Sequence, residues 1–508
     1  MQNPDRPQLL KVNSGYEHLK DSIGQGLSNY QTQAEAYEQR WRLLCSTYLN
    51  VVHDGSIWRS NREAKYDEPA QGWKLHLSAT ILDACDLFER VAPVLNQYDV
   101  QYKAPNSLGE LLKLNSGQHH GYHQVGKFIT VYPRCDDLAV ELAEILHELT
   151  SGFAKVVIPF DEQYKPDSAL FYRYGGFARI HRTDESGKTL LLIKDPEGNE
   201  VEDDRRRAKP DWVSHIFPRF HSPDHDTFNG TPLGGNYRIF DAMKQRGKGG
   251  TYLAMDLTQA RPRLAIVKEG RRHGEVAWNG QDGYALAQNE YAVLKQLRER
   301  YPEVPEARDA FEVNNNFYFV MEHIDGESLK QRMDRRRRRY SIKQIVDFAI
   351  SISQMIRSIH SAGWIWNDCK PANLIITPDG KMRPIDFEGS YPIGTDDPFE
   401  WKTKAYSDAR FDRSEGARGD IYAFGATLYF LLTGRLFEPE VKIPIRKLRR
   451  DVPRGLTMLT EKMLNAPSIN IEIVISGLQD LYQPTKGLRT ASFRQIADRH
   501  EVRQQSGH

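Results

Sequence analysis

Asn367-Asp368-Cys369-Lys370-Pro371-Ala372-Asn373, followed by Pro384-Ile385-Asp386-Phe387-Glu388, is the stretch on which the fold turns. One loop holds an acid, a base and an amide, and a second acid, Asp386, follows thirteen residues after Asn373. Phosphoryl transfer asks for these types. One carboxylate, Asp368, orients an attacking hydroxyl, and Lys370 neutralises charge on the transferring group. An amide and a second carboxylate, Asn373 and Asp386, hold the magnesium that bridges the phosphates.

Upstream, Lys268 ends the strand-like run Leu264-Ala265-Ile266-Val267-Lys268, and Glu290 lies in the helix-like Tyr284–Arg298. Such a pair can position a nucleotide. Gly247-Lys248-Gly249-Gly250 precedes Lys268 by about twenty residues and reads as a cover for the phosphates. The domain opens with strand-like segments, Tyr252-Leu253-Ala254-Met255 and Leu264-Ala265-Ile266-Val267-Lys268. After Gln344 the pattern turns helical: Gln344–Ile359 is amphipathic, and Ile421–Leu432 is apolar on all sides, as a buried helix is. A strand-rich piece followed by a helix-rich piece predicts two lobes.

In these residues the chain resembles the protein-kinase superfamily. The loop from Asn367 resembles the catalytic loop, with Asp, Lys and Asn in family spacing. Asp386-Phe387-Glu388 resembles the magnesium-binding Asp-Phe-Gly, with Glu for Gly. Asp420 resembles the aspartate that anchors the catalytic loop, and Glu322 falls where backbone groups meet the purine. The resemblance implies ATP or GTP with Mg2+ as cofactors and Ser/Thr as acceptors. Three departures stand out. Trp366-Asn367 replaces the usual His-Arg, Tyr252 sits where a third glycine belongs, and no Ala-Pro-Glu closes the activation segment.

The first half has a different texture. Residues 1–60 read as a polar, partly helical extension. From Gly72, strand-like and helix-like segments alternate as in an α+β domain over residues 61–215, with strands expected at Val156–Pro159 and Ala178–Arg182 and a helix over Ala79–Asn96. The Pro- and Gly-rich stretch 216–236 reads as a linker, and the kinase-like domain as 237–508. Lys74 and His76 are two apart in a strand and so share a face. That pattern fits an ordinary half-exposed strand. It also fits a pocket: Lys103, Lys127, Arg134 and Arg173 follow near strand ends and would suit a phosphate. A lysine base with a histidine acid in such a pocket suggests β-elimination.

Gly72-Trp73-Lys74-Leu75-His76-Leu77-Ser78 is similar to the motif of bacterial phosphothreonine lyases. Tyr102-Lys103, Gly126–Pro133 and Tyr172–Gly175 extend the likeness to the lyase domain of class III and class IV lanthipeptide synthetases, whose kinase domains share the Asp-Phe-Glu variant. The resemblance spans about residues 60–500. It implies Lys74 as base, its pKa lowered by the neighbouring cations, and His76 as acid. The implied substrate is a precursor peptide with a leader. The sequence departs from those synthetases in running only about seventy residues past the apolar helix, without a Cys/Cys/His zinc set. A separate cyclase or later enzyme is therefore an expected partner, if rings form.

Bulk properties agree. Hydrophobic residues make up 39% and charged residues 27% of 508, a soluble composition too long for one core. The net charge of +1 gives no pull toward nucleic acid, and no apolar run suggests a membrane span, so a cytoplasmic location is the default. Four scattered cysteines, Cys45, Cys85, Cys135 and Cys369, exclude a CxxC zinc site. The Arg335–Arg339 and Arg205–Arg207 blocks read as solvated faces or as docks for acidic groups. The leading expectation is a two-step peptide dehydratase. The alternatives are a regulatory Ser/Thr kinase with a phosphopeptide-binding module, and a pseudokinase scaffold.

Overall fold

The structure, a computed structural model, describes residues 26–52, 55–177, 180–183, 187, 189–218, 231–336, 339–395, 406–407, 416–466 and 468–482. They fall into two compact units divided between Ile324 and Asp325.

The first unit opens with a seven-stranded antiparallel sheet. Its strands are β1 (Val51–Val52), β2 (Trp58–Ser60), β3 (Gln71–Leu77), β4 (Gln101–Pro105), β5 (Ile129–Tyr132), β6 (Glu162–Gln163) and β7 (Leu170–Gly176). Their spatial order is β1-β2-β4-β5-β3-β7-β6. Strand β3 sits inside and alternates strictly. Trp73, Leu75 and Leu77 enter the core, so Lys74 and His76 share the opposite face, as expected from their spacing. The core is completed by helices Gly26–Tyr48, Ala84–Gln97, Leu108–Ser116 and Asp136–Leu149, which contribute Trp41, Phe88, Leu111 and Leu142 among others. Helix Leu108–Ser116 starts because Ser107 Oγ accepts the Glu110 N–H, and it stops at Gly117 in the left-handed region at φ 70°.

Three expectations are corrected here. Residues 26–60 are no extension, because Trp41 is fully buried in the core and β2 pairs with β4. The second helix begins at Ala84 rather than Ala79, because Thr80 Oγ1 donates to Asp83 and holds a turn. Val156–Pro159 is not a strand; the Val156 N–H donates to Ser78 Oγ instead of a ladder partner. A small sheet follows, β8 (Ile180–Thr183), β9 (Thr189–Lys194) and β10 (Glu200–Glu202). Ala178, Arg179 and residues 219–230 of the expected linker lie outside the described residues.

The same unit contains five further strands: β11 (Tyr237–Arg246), β12 (Gly249–Asp256), β13 (Arg263–Gly270), β14 (Ala307–Val313) and β15 (Asn316–Glu322), in the order β11-β12-β13-β15-β14. Helix Gly283–Arg300 accompanies them. The second unit is mainly helical. Helix Ile342–Ser361 carries a full capping box at Ser341 and Gln344. Helix Gly416–Thr433 is buried nearly throughout, as its all-round apolar sequence requires.

Candidate active sites

The open face of the seven-stranded sheet carries a cavity of about 530 Å³ lined by Lys74, His76, Lys103, Lys127, Arg173 and Arg205, with Thr130 and Tyr132 between them. Antiparallel register brings these groups together. Lys74 lies opposite Arg173 on β7, and Thr130 lies opposite both His76 and Lys103. Lys74, His76, Lys127 and Arg173 are 8%, 3%, 6% and 3% exposed. Burying so many cations requires counter-charge. Two acids supply it. Arg173 Nη2 donates to Asp203 Oδ1 at 2.6 Å. Asp161, fully buried, accepts the Nδ1–H of His76 at 2.5 Å and pairs with Lys127 Nζ at 3.2 Å.

These contacts set the protonation states. Burial, helped by the Arg173 charge and opposed by Asp203, holds the Lys74 amine well below its ordinary value. Burial therefore leads, rather than the like-charge crowd expected from sequence. Burial also pushes His76 down to about 3 against the pull of Asp161, so the imidazole is neutral, with Nδ1–H on Asp161 and Nε2 left for the cavity. Lys127 is brought down to about 8, again by burial against Asp161. Burial raises Asp161, but Lys127 and His76 outweigh it and keep the carboxylate ionised.

Arg134 is a correction. Pro133 ends β5, and Arg134 lies exposed beyond it, outside the cavity. Its place among the cations is taken by Arg205, whose Nη1 donates to His123 Nε2 at 3.1 Å. Asp161 and Asp203 escaped the sequence reading, and Arg205 was read only as part of a block that is a solvated face or a dock for acidic groups. Asp161 follows a segment misread as a strand. Lys103 keeps its expected place, its ammonium 4.7 Å above the Trp58 ring.

The kinase-like residues fall into two groups, one in each unit. In the first, Lys268 Nζ on β13 donates to both oxygens of Glu290, at 2.7 and 2.6 Å, and Glu290 is 1% exposed. The expected phosphate cover is a tight hairpin, with only Gly247 and Lys248 between β11 and β12. Its glycines answer to close neighbours. A Cβ on Gly247 would stand 1.7 Å from the Asn115 carbonyl oxygen, one on Gly249 1.9 Å from that of Glu269, and one on Gly250 2.3 Å from the Tyr252 ring. The hairpin is thus seated on the end of helix Leu108–Ser116, where the Gly247 N–H donates to Ser116 O. Tyr252, standing in place of a third glycine, is buried and donates its hydroxyl to Glu269 Oε2 at 2.6 Å. The Glu322 N–H donates to Glu306 O at 2.9 Å, so of its backbone groups this one is already engaged.

In the second unit, Asp368 Oδ2 accepts from Lys370 Nζ at 2.6 Å and from Asn373 Nδ2 at 2.7 Å. Asp420, fully buried, accepts the N–H groups of Trp366 and Asn367 at 2.9 and 2.7 Å, and so anchors the catalytic loop. Trp366 stacks on Phe387 at 5.8 Å and donates Nε1–H to Asp386 O, which fixes the loop holding Asp386. Asn373 fits a magnesium ligand. Its Nδ2 is turned to Asp368, which aims the amide oxygen away, and the Ile385 N–H on Asn373 O ties the segment before Asp386 to it. An amide oxygen and a carboxylate are the hard donors magnesium takes.

The Arg335–Arg339 run is largely spent inside the unit. Arg335 pairs with Glu327, Arg336 lies 4.1 Å over the Tyr340 ring, and Arg339 donates to Leu448 O. Arg337 and Arg338 lie outside the described residues.

The fold and these groups define a protein kinase domain preceded by a second α+β domain with a buried cation pocket. Comparison with known proteins agrees: residues 246–450 match the protein kinase domain family, and residues 47–230 match the family described as RamC, N-terminal domain. The chain is 28% identical over 389 residues to a probable SapB synthase of Streptomyces coelicolor, covering 73% of this chain and 40% of that protein. It is 29% identical over 217 residues to serine/threonine-protein kinase C of Synechocystis, covering 40% of each. The chain thus spans about 40% of the length of these curated relatives. The two family matches follow one another along the chain, the RamC N-terminal domain first and the protein kinase domain second. Among the described residues no helix is long and apolar enough to cross a membrane.

Proposed function

We propose that the chain dehydrates Ser and Thr residues of a precursor peptide in two steps, phosphorylation by the kinase domain and elimination in the N-terminal cavity. The observation that carries this reading is the convergence of buried Lys74, His76, Lys127 and Arg173 with half-buried Lys103 on one cavity, in a chain that also bears a kinase domain.

In the first step Asp368 accepts the hydroxyl proton and orients the attacking oxygen, while Lys370 balances charge on the moving phosphoryl group. Lys268, held by Glu290, and the hairpin Gly247–Gly250 are the proposed nucleotide contacts. Asn373 and Asp386 would hold Mg2+, which supplies charge neutralisation on the phosphates when bound. Either ATP or GTP suits this scheme.

In the second step the phosphate sits among Lys103, Arg173 and Arg205. An amine removes the α-proton, the Cα–H electrons form the Cα=Cβ bond, and the Cβ–O bond breaks with its electron pair leaving on phosphate. Two amines qualify as base. Burial holds Lys74 well below its ordinary value, and it brings Lys127 down to about 8, within the working range that favours proton abstraction. The other amine then stabilises the enolate. A phosphate dianion beside Nε2 raises the His76 pKa, so the imidazole gains a proton on binding and gives it to the departing phosphate.

The test is mass spectrometry of a Ser/Thr peptide incubated with the chain, nucleotide and magnesium. Loss of one water mass per residue supports dehydration. Gain of one phosphoryl mass alone supports the regulatory-kinase reading, and no change supports a scaffold.

A further inference from the structure

Beside the phosphate cavity lies a second one, of about 660 Å³, over strands β2 and β4. The two share Trp58, Lys103, Gln124, Tyr132 and Phe177 as a common wall, so they are chambers of one trough. Strand register shows how they join. Ser60 lies opposite Lys103, Lys103 opposite Thr130, and Thr130 opposite His76, so one row crosses β2, β4, β5 and β3 from the second chamber to the first.

We propose that the second chamber takes an extended segment flanking the phosphorylated residue in the same peptide, and so sets which residues are dehydrated. This rests on the elimination reading. Three strand steps separate Ser60 from His76, roughly 14 Å at ordinary strand spacing, and an extended peptide spans that with about four residues. The shared wall suits an apolar side chain of that segment. Tyr132 and Phe177 meet edge to face at 5.2 Å, and Trp58 lies under the Lys103 ammonium. Beyond the wall, Ser56, Ser60 and Gln101 offer the polar groups that a peptide backbone needs. Lys103 is the cation among the residues of the second chamber apart from His120, which is paired with Glu110, so the flank is neutral or acidic rather than basic.

The experiment uses the full chain without nucleotide. Its substrates are a capped single phosphoserine and phosphoserine peptides with one to four residues added on either side. The expected kcat/KM for the unsaturated product rises about tenfold or more with length on one side only, as one apolar contact is gained. Gln101→Trp, which fills the chamber from a half-exposed strand position, collapses the ratio between long and short substrates. Equal kcat/KM at every length, or a length effect that Gln101→Trp leaves intact, overturns the chamber. A wild-type chain that converts neither the capped residue nor any peptide overturns the elimination reading, and this proposal with it.

Discussion

Asp161 binds two partners of opposite function through one carboxylate: the Nδ1–H of His76 at 2.5 Å and the ammonium of Lys127 at 3.2 Å. It therefore fixes the tautomer of one and the charge of the other. Asp161→Asn removes that control, since an amide carries no charge for Lys127 and can offer an N–H to Nδ1. The expected loss in elimination from a prephosphorylated peptide is on the order of 10²-fold or more, with phosphate incorporation into fresh peptide unchanged. Elimination at the parent rate would remove Asp161 from the site.

The choice between the two amines shows in pH. A base must lose its proton to act, so kcat/KM for elimination rises as pH climbs through its pKa. With Lys127 as base the rise centres near 8. With Lys74 as base, which burial also holds well below its ordinary value, the rise follows that amine or the phosphopeptide, whose second ionisation lies near about 6, and has no reason to centre near 8. Arginine substitutions cross-check this, because Arg keeps the charge and cannot give up its proton. Arg at the base position stops the reaction at the phosphopeptide, while Arg at the other retains measurable turnover.

Arg134 and Arg205 separate sequence from structure. Arg134→Ala, on the surface, is expected to leave phosphopeptide KM unchanged. Arg205→Ala, at the cavity wall, is expected to raise it by about tenfold, the scale of one lost charge-assisted contact. Steady-state elimination kinetics on both variants decide it, and the reverse order would put the cation cluster elsewhere.

That contrast also marks how far the sequence could be read. Lys74 and His76 were legible because strand alternation assigns a face from local spacing alone, while Lys103, Lys127 and Arg173 were read only as cations near strand ends. Arg134 was misassigned because lying near a strand end does not give a face, and the chain leaves the sheet at Pro133. Asp161 and Asp203 were illegible because they arrive from loops whose course depends on the packed sheet. Asp368, Asn373 and Asp386 were readable because their spacing is itself the signal. The glycine hairpin was read for chemistry, while its close contacts with Asn115 and Glu269 are long-range packing that no local pattern carries.

Asp386→Asn is expected to abolish phosphate incorporation, because the metal loses its charged ligand, and to leave elimination from a prephosphorylated peptide intact. Asp368→Ala is expected to cut transfer by at least about 10²-fold with little loss of nucleotide affinity, since it faces the hydroxyl. Titration calorimetry with nucleotide beside a phosphate-incorporation assay checks both. Parent-rate phosphorylation by Asp386→Asn would contradict the metal assignment.

Arg271, just past the end of β13, reaches across the seam between the β11–β15 sheet and the cavity domain to Tyr122. Arg271 donates to both oxygens of Glu269 at 3.0 Å each, and its Nη1 donates to Tyr122 at 2.6 Å. Tyr122→Phe keeps the ion pair and removes one hydrogen bond, a cost of about 1–3 kcal/mol. Arg271→Ala strands the buried Glu269 carboxylate and costs about 3–5 kcal/mol. Denaturant midpoints rank the two, and a Tyr122→Phe midpoint equal to the parent's would show that this hydrogen bond carries no stability.

The two-step scheme rests most directly on one reaction: the wild-type chain, without nucleotide, acting on a peptide carrying a single phosphoserine. Phosphate release with a product lighter than the unphosphorylated peptide by one water, and reactive toward added thiol, is the expected result. Phosphate release that returns the plain serine peptide would mean hydrolysis, and no release would mean binding alone; either contradicts elimination in the Lys74–His76 cavity.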